Sequence, residues 1–201
     1  LTIIGLGLIG SSIGRDVKAL GLAEKITGID TNAESLQLLR HDNIIDEGSS
    51  LIDSRIKDSE IIIIASPPSV FEKIAHAIKP YISPETIITD TGSIKQQAMT
   101  AISKYLPDPS RFVPAHPIAG SEQSGAAAGK RDLFQGKRII LTTNETTSPE
   151  AKDKVAAFWQ ALGGVVGEMD AHVHDLVYAY VSHLPQAIAY TLMLTLKEYI
   201  P

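Results

Sequence analysis

"LTIIGLGLIG", residues 1–10, decides how the rest of the chain is read. An apolar run, Leu1 to Ile4, feeds directly into Gly5, Gly7 and Gly10, spaced as GxGxxG. In such a strand-to-helix turn the first glycine permits the tight bend, the second lets a pyrophosphate approach the backbone, and the third lets helix and strand pack closely. Leu8, Ile9 and Gly10 open the helix, whose free N–H groups and positive dipole end suit phosphate. A second apolar run, "ITGID" (26–30), ends in Asp30, 20 residues past Gly10. A carboxylate there accepts from an adenosine ribose 2′-hydroxyl and repels a 2′-phosphate. No Arg or Lys occurs in "GIDTNAES" (28–35), so the expected cofactor is NAD rather than NADP.

Working outward, further Ile-rich runs follow: "IIIIA" (61–65), "TIITD" (86–90) and "RFVPA" (111–115). Continuous rather than alternating apolar residues are the mark of parallel strands buried on both faces. Val70, Phe71, Ile74, Ala75 and Ile78 recur at helical spacing between two of these runs. Alternating strands and helices with short links predict an α/β, doubly wound, mostly parallel sheet of Rossmann type. "RIILTT" (138–143), a helix from Pro149 to about Leu162 and "VVGEM" (165–169) are expected to extend the same layer. Ser66 and Pro67, in "ASPPS" (65–69), and Thr91 to Ser93, in "DTGSIK" (90–95), fall at the carboxyl ends of strands, where such sheets bind ligands. Thr91, Gly92 and Ser93 also read as a cap for a helix beginning near Ile94.

From Asp170 the pattern becomes purely helical, with Val177, Val181, Leu184 and Ile188 on one stripe and Asp170 as N-cap. The expected division is a nucleotide domain over residues 1–169 and, over 170–201, one long helix that opens a helical domain, kinked or left with a free Val181 carbonyl at Pro185. The chain begins without Met and ends inside that helical pattern, so we read it as part of a longer protein.

Composition narrows the functional classes. A net charge of −5 over 201 residues gives no nucleic-acid footprint. With no Cys, disulfide and thiol chemistry are excluded, which suits the cytoplasm, where we expect the protein. No run is long and apolar enough to span a bilayer, so no membrane association is expected. No metal site is expected either: His172 and His174 are two apart on a helix and diverge, while His41 and His76 have no partner in sequence.

His116 sits in "FVPAHPIAGSEQSG" (112–125), where a strand is expected to end and a loop to begin. Taken alone it is a turn histidine in water. Yet "GLGLIG", "DTGSIK", "HPIAGSEQSG" and "VSHLPQAIAY", in that order, resemble the prephenate/arogenate (cyclohexadienyl) dehydrogenase family of tyrosine biosynthesis. The resemblance covers nearly the whole chain. It implies an N-terminal NAD domain, a helical C-terminal domain that forms a homodimer, and oxidative decarboxylation of prephenate or arogenate. It further implies that His116 is the catalytic base, that Ser93 hydrogen-bonds the same region, and that Ser121, Glu122, Ser182, His183 and Gln186 face the substrate. Two rivals remain at this level. One is a 2-hydroxyacid-type dehydrogenase, which relies on a lysine in its helical domain that "SHLPQ" lacks nearby. The other is a non-catalytic NAD-sensing module, which leaves the His116 loop without a purpose.

Overall fold

The computed structural model describes residues 1–199. In chain order the elements are β1 (Thr2–Ile4), α1 (Leu8–Leu20), β2 (Thr27–Ile29), α2 (Ala33–His41), β3 (Glu47–Ser49), β4 (Ile61–Ile64), α3 (Phe71–Ile78), β5 (Ile87–Asp90), α4 (Gln96–Ser103), β6 (Phe112–Val113), β7 (Ala115–Pro117), β8 (Arg138–Leu141), α5 (Pro149–Ala161), β9 (Val165–Glu168), α6 (Ala171–Tyr178) and α7 (Leu184–Lys197). Six strands form an all-parallel sheet in the order β3-β2-β1-β4-β5-β6, the arrangement of a Rossmann dinucleotide fold.

Period-two alternation divides the core. Ile3, Ile63 and Ile87 point to one face and pack with Ile13, Val17 and Trp159, whereas Ile4, Ile62, Ile64 and Ile88 point to the other and meet Phe71, Ile74 and Ile102. Every side chain in that inventory is less than a tenth exposed, so both faces are closed to water.

Three expectations need correction. The run 111–115 is not one strand: at Pro114 the chain leaves the large sheet, and β7 starts a second, three-stranded sheet, β7-β8-β9. The residues after 138 therefore build a separate layer, with β7 antiparallel to β8, instead of extending the first. Proline lacks the N–H that would continue a ladder, which is why the break falls there. His116 consequently lies within β7, opposite Ile140, and not in a loop.

The third correction concerns the helix after Asp170. Asp170 does cap it, accepting from the N–H groups of His172 and Val173 at 2.9 and 3.0 Å. The helical path is interrupted, however, by a π-helical turn over Ala179–His183, in which the Leu184 N–H reaches back five residues to the Ala179 carbonyl. Pro185 then sits in the first turn of α7, where a missing N–H is tolerated. The π turn also re-aims side chains. Steps of four along an α-helix drift by about 40° each, so Tyr178, Ser182 and Gln186 would spiral away from His174; one inserted residue turns the face back by about 100°. Among the described residues no helix is long and apolar enough to cross a membrane.

Candidate active site

Two concavities flank the carboxyl ends of the strands. The first, about 680 Å³, is lined by Gly5, Gly7, Asp30, Ser66 and Pro67 among others. The three motif glycines meet different demands. Gly5 has φ +96°, and a Cβ on it would lie 2.4 Å from the Ala65 carbonyl oxygen. On Gly10 a Cβ would lie 1.9 Å from the Gly5 carbonyl oxygen. A Cβ on Gly7 would meet nothing within 4 Å, so its hydrogen keeps open a space outside the protein rather than inside it. Leu8, Ile9 and Gly10 form the first turn of α1, which has no acidic side chain and no side-chain cap, leaving its amides for an anion. The Asp30 carboxylate accepts from Leu6 N–H at 2.5 Å and from Asn32 N–H at 2.8 Å, which ties the end of β2 to the glycine turn. The Ser66 hydroxyl donates to the Ile4 carbonyl at 3.1 Å. An anionic group with an attached sugar fits this cleft: amides at its base, space at Gly7 and a carboxylate on its wall.

The second concavity, about 470 Å³, is lined by His116, Pro117, Ile118, Ala119, Gly120, Lys137, Tyr178, Ser182 and Gln186. It therefore brings together three of the expected residues, His116, Ser182 and Gln186, from segments far apart in sequence. His183 is half-buried on the π turn; Ser121 and Glu122 are exposed and continue the chain past Gly120, outside that wall. Ser93 is half-buried in the loop between β5 and α4, and among the described residues its hydroxyl has no hydrogen-bond partner. The helix after it begins at Gln96, later than expected, and no side chain of the 91–93 loop caps it.

The cap comes from Asp175 instead, whose two oxygens accept from Lys95 N–H at 2.7 Å and Gln96 N–H at 3.0 Å. Asp175 also contacts its neighbour, His174 Nδ1, at 2.9 Å, and His174 Nε2 lies 2.9 Å from His116 Nδ1. His174 is fully buried, and the Tyr178 ring packs against both imidazoles at 4.9 and 4.6 Å. A second buried group anchors the same strand. Lys95 Nζ donates to Asp90 at 2.5 Å and to the Ala115 carbonyl at 2.6 Å, while Asp90 accepts from Ala115 N–H at 3.2 Å and Gly92 N–H at 2.8 Å. Both side chains are wholly buried, and burial lowers the Lys95 ammonium and raises the Asp90 carboxyl against their mutual attraction.

His174, Asp175, Lys95 and Tyr178 were not expected from the sequence. The legible hint was the spacing: His174, Tyr178, Ser182 and Gln186 recur every fourth residue, and Lys95 closes the "DTGSIK" stretch.

Electrostatics set the state of His116. Burial first, then the charges of Lys95, His174 and His183, hold its imidazole down at about 3, with Asp175 opposing. The ordinary value near 6.5 assumed from sequence does not apply, and the ring is neutral at neutral pH. Burial also lowers His174, against the pull of Asp175. For Asp175 burial would raise the carboxyl, but the hydrogen bonds from Gln96, His174 and Lys95 prevail and hold it below the usual range. Among the described residues no group of three or more His, Asp or Glu could hold a metal.

A neutral imidazole on a pocket wall can accept a proton, and a glycine turn with uncapped helix amides can hold an anion. The sequence profile of the prephenate dehydrogenase nucleotide-binding domain matches residues 13–168. The chain belongs to the prephenate dehydrogenase family. It is 36% identical over 199 residues to cyclohexadienyl dehydrogenase of Zymomonas mobilis, covering 96% of this chain and 66% of that one. It is 33% identical to prephenate dehydrogenase of Bacillus subtilis, covering 96% of this chain and 52% of the relative. The chain thus spans between half and two thirds of the length of these relatives. Its fold superposes with a TM-score of 0.91, at 35% identity, on prephenate dehydrogenase from A. aeolicus in complex with hydroxyphenyl propionate and NAD+, covering 98% of this chain and 68% of that one.

Proposed function

We propose that the full-length protein is a cyclohexadienyl dehydrogenase of tyrosine biosynthesis, carrying out the NAD-dependent oxidative decarboxylation of prephenate, arogenate or both. The observation that carries this reading is the neutral imidazole of His116 on a pocket wall shared with Tyr178, Ser182 and Gln186. Bound NAD supplies the acceptor for the hydride that leaves the hydroxyl-bearing ring carbon. The chain's own residues do the rest. Gly5, Gly7 and the amides of Leu8, Ile9 and Gly10 hold the pyrophosphate, Asp30 takes the ribose diol, and Ser66 and Pro67 line the cleft. His116 takes the hydroxyl proton. A base held as low as about 3 is strong enough, because hydride loss turns that hydroxyl into a protonated ketone, a far stronger acid than an imidazolium. CO2 then departs, its bonding electrons make the ring aromatic, and the proton on His116 returns to the phenolate oxygen. Ser93 is assigned to the same region, and Ser121, Glu122, Ser182, His183 and Gln186 to the substrate side. In Gln186 we see a neutral reader of the substrate side chain, able to donate to a keto acid or accept from an ammonium.

Residues 1–169 serve as the NAD domain and 170–201 as the start of the helical domain. Val181, Leu184, Ile188, Met193 and Leu194 are all at least half exposed, an apolar surface suited to a second copy of the chain in a homodimer. The protein is assigned to the cytoplasm, where such a biosynthetic step would have its cofactor. Neither a 2-hydroxyacid oxidation nor cofactor sensing accounts for the His116 wall.

The test follows NADH formation by the folded full-length protein with prephenate and with arogenate, and with NADP in place of NAD. Turnover with at least one substrate, and a preference for NAD, is expected. No turnover with either substrate would overturn the reading.

A further inference from the structure

His174, which is fully buried, and its neighbour Asp175 have no task in the reaction described above. Its contacts form a single line. The Asp175 carboxylate already accepts two backbone N–H groups from the start of α4, at 2.7 and 3.0 Å, and stands 2.9 Å from His174 Nδ1. A carboxylate in that position can only accept, so His174 Nδ1 must carry a hydrogen. A neutral imidazole then has a bare Nε2, and this atom stands 2.9 Å from His116 Nδ1. His116 Nδ1 must therefore donate, which leaves the lone pair of His116 on Nε2. Among the described residues that nitrogen has no protein partner, and the ring lines the pocket.

We infer that His174 and Asp175 are positioning residues that fix the tautomer of His116, holding its hydrogen on Nδ1 so that Nε2 is the basic atom presented to the pocket. The assignment of the ring nitrogens follows from the hydrogen bond made by the other nitrogen, as it does for histidines in general. It rests on His116 being the proton acceptor proposed above, but the tautomer itself does not. A histidine in water prefers the opposite tautomer, with hydrogen on Nε2, which here would point a donor at the pocket and offer no base. Three features support the neutral state of His174: it is fully buried from solvent, its value is lowered by burial, and the Tyr178 ring packs against it at 4.6 Å. The charged and titratable groups around His116 are Lys95 on the β5–α4 loop, His174, Asp175 and Tyr178 on α6, His183 on the π turn and Lys137 on the same pocket wall. When His116 takes the substrate's proton it becomes an imidazolium whose Nδ1–H still points at the His174 lone pair, so the same contact is stronger in the transition state than before it.

The experiment uses full-length protein labelled with ¹⁵N-histidine. Imidazole nitrogen shifts separate an N–H nitrogen from a bare one without any substrate, so this reading stands or falls apart from the reaction. Wild type is expected to show His116 with hydrogen on Nδ1 and a bare Nε2; the reverse overturns the inference with no variant needed. In His174→Phe the His116 tautomer is expected to shift toward hydrogen on Nε2. In His174→Gln, whose amide oxygen reaches the former Nε2 position, it is expected to return partly. If the full-length protein turns over, His174→Phe is expected to lower kcat about 10- to 100-fold with KM nearly unchanged, the size of one lost charge-assisted hydrogen bond. In a His116→Asn background the same change is expected to cost nothing further, since its effect runs through His116. An equal loss in both backgrounds would make His174 merely structural and overturn the assignment. Absence of turnover with the expected tautomer present would instead count against the proposed reaction alone.

Discussion

The glycine turn and the histidine wall are built from the chain in opposite ways. At the turn, Gly5 and Gly10 press on backbone close at hand in space, and the Gly10 constraint is internal to a six-residue motif. At the wall, His116 meets His174 across 58 residues, and Lys95 N–H meets Asp175 across 80. A local arrangement can be encoded by spacing, because neighbours in sequence must be neighbours in space. A long-range one depends on where two separate elements happen to be docked, and here the docking of α6 against α4 through Asp175 does that work. The first region should therefore break by steric damage to the fold, and the second by loss of chemistry with the fold intact.

The largest expected effect tests the second half of that contrast. His116→Asn in the full-length protein is expected to lower kcat by roughly 10²–10⁴, the usual contribution of a general base. NAD affinity and thermal stability near neutral pH are expected to stay close to wild type. A variant with wild-type kcat would remove His116 from the chemistry and leave the wall as packing.

Next come the glycines. In Gly10→Ala the methyl would have to occupy a point 1.9 Å from a backbone oxygen, so strand and helix must part. A loss of about 3 kcal/mol, the upper range for overpacking, is expected in denaturant melts. Gly7→Ala meets nothing within 4 Å and is expected to leave stability within about 0.5 kcal/mol of wild type while weakening NAD binding. Equal destabilisation by both would refute the distinction between a glycine that serves the fold and one that serves the ligand.

These differences explain what could be read in advance. β1, β2, β4 and β5 were legible because each carries buried Ile and leads into a motif residue, and the glycine turn because its three glycines keep a fixed spacing. β3 was not, since "EGS" is a half-buried edge strand with no apolar signal. The second sheet was hidden because Pro114 splits what looks like one strand into two short ones in different sheets. The π turn was invisible to a helical-period reading, although Pro185 marked its neighbourhood. His116, Ser182 and Gln186 are found by resemblance; spacing says of His174 only that it diverges from His172, since its partner, His116, lies on another element. Ser121 and Glu122 are exposed beyond Gly120, outside the pocket wall, so only the resemblance points to them.

Gln186→His sharpens the comparison further, because it changes the wall without touching His116. Both Ser182 and Gln186 line the pocket. A histidine there, when protonated, favours the keto acid of prephenate and repels the ammonium of arogenate. Replacing a neutral contact by an ionic one usually shifts preference by about 1–3 kcal/mol, or roughly 5- to 150-fold. The ratio of kcat/KM for prephenate over arogenate is expected to rise by that amount, and a ratio that does not move would show that position 186 does not read the side chain.

The smallest effect concerns acid. In the folded protein the His116 imidazole titrates at about 3, below its value of about 6.5 in an unfolded chain. Between those values the unfolded chain binds a proton at this site and the folded chain does not, so protonation favours unfolding. The folded state is thus most stable above about pH 6.5 with respect to this group and loses stability as the pH falls toward 3. Partial exposure of the ring weakens the effect, and a loss of about 1 kcal/mol between pH 6.5 and 5 is a reasonable size. His174 is shifted in the same direction and adds to it, whereas Asp175, held low, releases its contribution only below the ordinary aspartate range. The window from pH 6.5 to 5 therefore isolates the two histidines from the carboxylate. Urea melts of the full-length protein across that window are expected to show a steeper decline for wild type than for His116→Asn, whatever the absolute stability of the variant. The glycine variant Gly7→Ala, which lies outside the histidine wall, is expected to keep the wild-type slope. Parallel slopes for wild type and His116→Asn would mean that the imidazole is solvated in the folded protein, and the buried wall that separates the two regions would not exist in solution.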